Sequence, residues 1–124
     1  MSWEIVLFNT KQIIHSIDEI DESQFELTDF CDVLESCFVN ITEEDNHIEI
    51  KGADFTIDYF KDDEMVSNKM LSLYGENALF ELIPISKKNN WQIFDTSLGE
   101  MIDLDNPANN GYDNFQSYLK QILK

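Results

Sequence analysis

The sequence predicts a single α+β domain over residues 1–124: a mostly antiparallel sheet of five to six strands with two to three helices packed on it. Three observations carry this. Residues 67–104 hold most of the large apolar residues that can form an uninterrupted core, arranged as strand, Gly-marked break, apolar segment and hairpin. Two stripes of helical period, over residues 28–38 and 112–123, mark helices. The length of 124 residues is that of one domain and suffices for one core without staples.

In chain order, residues 2–8 (SWEIVLF) read as a strand of bulky and β-branched residues. Trp3, Ile5 and Leu7 share one face and Val6 and Phe8 the other, so apolar residues on both faces indicate a central strand. Residues 12–20 carry Ile13, Ile17 and Ile20 but run into Asp18-Glu19-Ile20-Asp21-Glu22; they read as irregular, with a short strand open over 13–16. Over 28–38, Phe30, Val33, Leu34, Cys37 and Phe38 recur at helical spacing. Thr28 is placed to cap that helix and Asp29 to sit in its first turn. A polar loop follows at 43–46.

Residues 47–51 (HIEIK) and 55–60 (FTIDYF) alternate strictly, with Ile48, Ile50, Phe55, Ile57 and Tyr59 inward. With the strand at 69–74 they form a meander. Residues 78–88 set Leu79, Leu82 and Ile83 on a helical face and end on Lys87-Lys88, suited to a helix C-terminus. Pro84 interrupts them at a cost of about 3 kcal/mol in a helix interior. A helix kinked or shortened at Pro84 is expected, against a competing strand at 80–85. Residues 91–95 and 100–104 form a hairpin, 105–111 a turn, and 112–123 a last helix on Phe115, Tyr118, Leu119 and Ile122. Trp3, Ile5, Phe30, Leu34, Ile57, Leu73, Trp91, Ile93, Phe115 and Leu119 are the expected core.

Charge excludes several function classes. There are 25 acids against 8 basic residues, all Lys, for a net −17. Nucleic-acid backbones and anionic membrane surfaces are repelled. Without Arg there is no planar fork for phosphate. No apolar run reaches the length of a membrane span, and the run at 5–8 lacks the basic flank of a signal peptide. Cys31 and Cys37 lie in one helix and project in different directions, so they read as reduced core residues. A cytoplasmic protein is expected.

No catalytic motif stands out. GxSxG, HExxH, GxxxxGK[ST] and GxGxxG are all absent. The cluster Asp103, Asp105, Asn106, Asn109, Asn110 and Asp113 offers oxygen ligands. As a calcium loop it fails, with Pro107 and Ala108 at its fifth and sixth positions and Asn114 at its twelfth. His15 and His47 lack further ligands at zinc spacing. A thiol nucleophile at Cys31 or Cys37 is disfavoured by the apolar stripe they sit on or beside. Trp91, Phe94, Tyr59, Phe60 and Tyr74 read as core rather than as a ligand groove. No enzyme, cofactor or metal is expected.

What remains is where the charge falls. Residues 1–64 hold 18 acids and 3 Lys, a net −15; residues 65–124 hold 7 acids and 5 Lys, a net −2. An acidic face is expected from Asp29, Asp32, Glu35, Glu43, Glu44, Asp45, Asp62, Asp63 and Glu64, with Tyr59 and Phe60 as apolar anchors. Such a face steers the encounter with a basic protein partner and rejects wrong ones.

The C-terminal third, WQIFDTSLGEMIDLDNP followed by NGYDNFQSYL, resembles a block in small, acidic, uncharacterised bacterial proteins, some of them among immunity proteins that neutralise antibacterial toxins. The resemblance rests on Trp91, Asp95, Gly99, Asp103 and Gly111. It implies a one-domain α+β fold and an inhibitor role, and carries over no catalytic residue. The expectation is a non-enzymatic acidic binding protein, an immunity-type inhibitor of a basic toxin or nuclease. The alternative is a soluble α+β domain that binds a small ligand or acts as a carboxylate-based hydrolase.

Overall fold

The computed structural model describes residues 3–110. Seven strands, β1 (Trp3–Asn9), β2 (Ile41–Glu44), β3 (His47–Lys51), β4 (Thr56–Phe60), β5 (Asn68–Tyr74), β6 (Trp91–Asp95) and β7 (Glu100–Met101), pair antiparallel in the order β2-β3-β4-β5-β1-β6-β7. Two α-helices join them, α1 (Phe30–Cys37) and α2 (Glu76–Asn89). The α+β class is as expected.

The additional strand is β2, which the sequence reading left partly in a polar loop. Asp45 and Asn46 both take positive φ, +52° and +67°. Two such residues make a tight hairpin turn whose twist suits the flanking strands, so Ile41–Glu44 pairs with β3, Ile41 opposite Ile50 and Glu44 opposite His47. At the far edge β7 is shorter than the expected 100–104, although the Ile102 N–H still donates to the Ile93 carbonyl at 2.8 Å.

β1 lies between β5 and β6, the interior place that its two apolar faces indicate. One face of the sheet carries Ile5, Leu7, Ile48, Ile50, Ile57, Leu71, Leu73 and Ile93, all fully buried, and both helices pack into that cluster. Helix α1 begins at Phe30 because the Asp29 carboxylate accepts the Asp32 N–H at 3.0 Å. Thr28, the expected cap, instead forms a β-bridge with Val66. The helix buries Phe30, Cys31 and Leu34, with the Phe30 ring 4.7 Å from that of Trp91. Cys37 departs from expectation and is exposed. It is the last helical residue, and Phe38, packed against Phe55, takes the next inward place.

Helix α2 runs through Pro84 to Asn89 rather than stopping there, and the competing strand does not form. Pro84 points outward, while Ala78, Leu79, Phe80, Leu82 and Ile83 are buried. At about 2 kcal/mol for each of the larger ones, that burial outweighs the proline's cost. Gly75 at its start has φ +92°, and a Cβ there would stand 2.9 Å from the Asp54 carbonyl oxygen, so the turn into α2 requires glycine.

Residues 12–20 are irregular, as expected, with no strand at 13–16, and two 3-10 turns lie at Ile17–Glu19 and Glu22–Gln24. A side-chain amide replaces the missing ladder: Gln92 Oε1 accepts the Ile14 N–H at 2.7 Å and its Nε2 donates to the Gln12 carbonyl. Of the expected core, Ile5, Phe30, Leu34, Ile57, Leu73, Trp91 and Ile93 are buried and Trp3 is half-buried. Phe115, Leu119 and the expected helix 112–123 lie outside the described residues. No helix among the described residues is long and apolar enough to cross a membrane.

Candidate functional site

The meander sets the β2–β3 turn and the 61–67 connection at the same end of the sheet, where the Lys61 N–H donates to the Asn46 carbonyl at 2.7 Å. The Thr28–Val66 bridge brings the start of α1 to that end as well. All three acidic segments named from the sequence therefore meet on one rim.

Within the rim the acids fall into two groups. Four are already engaged. Asp29 caps α1. Glu35 and Glu43 flank the Lys61 ammonium at 4.0 and 3.5 Å, and the two of them, Glu35 first, hold that ammonium above its ordinary pKa. Asp62 pairs at 2.8 Å with Lys69, whose side chain is almost wholly buried. Asp32, Glu44, Asp45, Asp63 and Glu64 are exposed and form no ion pair among the described residues. The outward charge is narrower than nine acids, and this second group carries it.

The two expected anchors separate. β4 points successive side chains to opposite faces, so Tyr59 lies on the helix side, 3% exposed, and is no anchor. Burial, with Glu35 and other acids nearby, pushes its phenol above the ordinary value. Phe60 lies on the other face, 69% exposed, its ring 5.2 Å from His47. Leu27 and Met65, both more than half exposed, stand beside the Thr28–Val66 bridge. Sequence reasoning missed them because neither belongs to an apolar period; only the bridge places them on the rim. Phe60, Met65 and Leu27 are exposed large apolar residues on or beside the segments that meet at this end of the sheet.

Among the described residues the candidate chemical groups do not assemble. No group of three or more His, Cys, Asp or Glu suited to a metal occurs among the described residues. Asp103 Oδ1 accepts the Asp105 and Asn106 N–H groups, both at 3.1 Å, and its Oδ2 accepts Asn109 Nδ2 at 2.8 Å. Led by the Asn109 bond, these hold its carboxyl below the ordinary value and mark a structural turn. The five aromatics split, Trp91 and Tyr59 on the helix side, Phe94, Phe60 and Tyr74 on the other.

A cleft of about 1120 Å³ lies between the 9–15 segment, the end of α2 and residues 101–110. His15, Glu26, Asp103 and Asp105 all line it. No hydrogen bond joins the histidine to a carboxylate among the described residues; Glu26 pairs with Lys11 at 3.3 Å and Asp105 with Lys87 at 2.8 Å. Ser86 also lines the cleft, fully buried, its Oγ without a hydrogen-bond partner among the described residues. Among the described residues no nucleophile–base pair is in place there.

On the face away from the helices, Asp58 sits opposite Glu49 in β3 and Ser72 in β5. Burial, then the Glu49 charge, raise its carboxyl above the ordinary pKa, with His47 opposing from 3.8 Å. A folded-state pKa above the unfolded value penalises the fold once pH rises through it, because the unfolded chain then ionises more readily. Asp58→Asn should therefore raise the melting temperature at neutral pH, and the advantage should vanish as pH falls through the carboxylate range. Thermal melts across that range check this; an Asn variant less stable at every pH would show that the carboxylate is held favourably.

No protein-family model, curated protein or solved structure matches the chain at a significant level.

Proposed function

We propose that this is a non-enzymatic, cytoplasmic binding protein whose acidic rim docks onto a basic protein, as an immunity-type inhibitor docks onto a toxin. The supporting observation is the convergence of the α1 start, the β2–β3 turn and the 61–67 connection, with exposed Phe60, Met65 and Leu27 on or beside them. Charge there speeds the encounter and sets register, while those apolar residues supply affinity. The resemblance in the C-terminal third favours the inhibitor role. A nuclease is the basic partner such a surface suits best, since an enzyme that grips phosphate must be positive at its site.

The test is capture of a basic partner at low salt, followed by association kinetics with Asp32, Asp63 and Glu64 changed together to Lys. The association rate should fall by about tenfold or more, and its salt dependence should flatten. If the triple variant associates as fast as the parent, the acidic rim serves solubility alone. A second reading, a small ligand in the cleft beside Trp91 and Ser86, is favoured by the unpartnered serine hydroxyl. It predicts protection from thermal unfolding in a ligand screen, lost in Ser86→Ala.

A further inference from the structure

The two edges of the sheet are finished differently. At β7 a side chain takes up the outward peptide groups: Asn110 Nδ2 donates to the Met101 carbonyl at 3.1 Å and its Oδ1 accepts the Asp103 N–H at 2.8 Å, as a neighbouring strand would. β2 has no such plug among the described residues. Its two-residue turn makes Glu44 and His47 a hydrogen-bonded pair, and the antiparallel alternation repeats this at Thr42 with Glu49. One step further, the Lys51 N–H donates to the Asn40 carbonyl at 2.9 Å. Ile41 and Glu43 are then the residues whose N–H and C=O point away from β3, and neither finds a partner on that side among the described residues.

Along β2 the side chains change character. Val39, just before the strand, is 94% exposed. Ile41 packs against the core cluster, so Ile41 and Glu43 point to the helix side and Thr42 and Glu44 away from it. Glu43 shares Lys61 with Glu35, whereas Glu44 and Asp45 are exposed and form no ion pair among the described residues. The edge therefore runs from apolar at Val39 and Ile41 to negative at Glu44 and Asp45. It is also the edge farthest from where the described chain ends, because Asn110 is held at β7. Six strand spacings of about 4.8 Å put the two about 29 Å apart, while the helix expected over 112–123, outside the described residues, rises about 18 Å.

We propose that the β2 edge takes up an extended segment of a basic partner protein as an eighth, antiparallel strand, its main chain bonded to Ile41 and Glu43. Running opposite to β2, that segment sets Lys or Arg beside Asp45 and Glu44 first, and apolar or β-branched residues beside Ile41 and Val39 after them. Main-chain bonds hold it, and the charge gradient sets its direction. The proposal rests on the reading of a basic partner and adds the element that docks, its direction and its register. A second copy of this chain is disfavoured as occupant, because pairing two β2 edges would bring both sets of Glu43, Glu44 and Asp45 to one seam on chains of net −17.

The probe is the peptide Lys-Lys-Lys-Thr-Val-Thr-Val, blocked at both ends and added to the full chain. Two N-methylated forms keep its charge. One is methylated at its third and fifth residues, whose N–H groups face Glu43 and Ile41, the other at its fourth and sixth, whose N–H groups face away. Binding by fluorescence anisotropy should fall at least about tenfold for the first form, which loses two main-chain hydrogen bonds, and hold for the second. Glu43→Pro removes the outward N–H and leaves the β2–β3 bonds, so it should weaken the unmethylated peptide as much, while Glu43→Gln retains most of the affinity. Amide exchange at Ile41 and Glu43 should be fast in the full chain alone and slowed by the peptide. Equal binding of the two methylated forms, or loss in the second alone, overturns the proposal. Slow exchange at both amides before peptide is added overturns it as well, since the edge is then already covered. A concentration-dependent dimer abolished by Glu43→Pro does the same by making a second copy the occupant. If the methylated forms bind equally while reversing Asp32, Asp63 and Glu64 weakens binding, the β2 edge falls and the acidic rim stands. If the first form alone is lost and the reversals change nothing, the edge stands and the rim falls.

Discussion

Replacing Phe30 by alanine should cost the fold about 4 kcal/mol and loosen α1 from the sheet. The side chain is 1% exposed and its ring meets Trp91 at 4.7 Å, so truncation leaves a void between helix and sheet. Helix α1 has eight residues, too few to hold a helix without tertiary support. Its docking rests on Phe30, Cys31 and Leu34, and Phe30 is the largest of the three. The loss should appear as a lower urea midpoint with little change in slope. Phe30→Leu, which keeps most of the volume, should lose far less. The functional effect should follow the structural one, because Asp32 of the rim is carried on this helix. A measured loss under about 1 kcal/mol would mean that the helix is not seated on Trp91.

The parts of this fold legible in the sequence are those where one face is dry and the other wet. Residues 47–51 and 55–60 alternate, and they pair with Ile48, Ile50, Ile57 and Tyr59 inward as the alternation requires. The stripe over 28–38 gave α1 within two residues at its start and one at its end. Three features escaped for different physical reasons. β2 (ITEE) lies at the sheet's edge and has almost no buried side chain, so it carries no pattern; the signal for it was Asp45-Asn46, a pair that tolerates positive φ. The cap at Asp29 rather than Thr28 was decided by a long-range bridge to Val66, which local sequence does not encode. Pro84 made α2 ambiguous because propensity counts its cost and cannot count the tertiary burial opposing it.

The acidic site was half legible for a related reason. Composition located the acids in the first 64 residues, and chain topology gathered them on one rim. Which acids face outward depended on Lys61 and Lys69, and neither lysine announces a partner in the sequence. The alternation of β4 also decided between the two anchors, since Tyr59 and Phe60 are equally apolar and only the strand's phase sends one inward.

Replacing Asp62 by alanine should destabilise the protein by about 2–3 kcal/mol, far more than a surface acid is worth. Its partner Lys69 occupies a buried position on the helix side of β5, with the side chain 6% exposed. The ammonium donates to Asp62 Oδ2 at 2.8 Å and to the Phe60 carbonyl, and lies 5.3 Å from the centre of the Tyr59 ring. Removing Asp62 leaves a buried charge with its anion gone, which is the expensive way to break such a pair. Lys69→Met removes that charge while keeping the length of the side chain, and should cost about 1 kcal/mol or less. Adding Asp62→Ala to Lys69→Met should then change little, giving a coupling of about 2 kcal/mol in a double-mutant cycle read by urea unfolding. The same contacts pin the corner at residues 60–62, from which the Phe60 ring projects. Asp62→Ala should accordingly weaken partner binding even under conditions where the variant stays folded, through a faster dissociation rate more than a slower association. Additive single and double effects would show that Lys69 and Asp62 do not act as a pair, and that Phe60 is positioned by β4 alone.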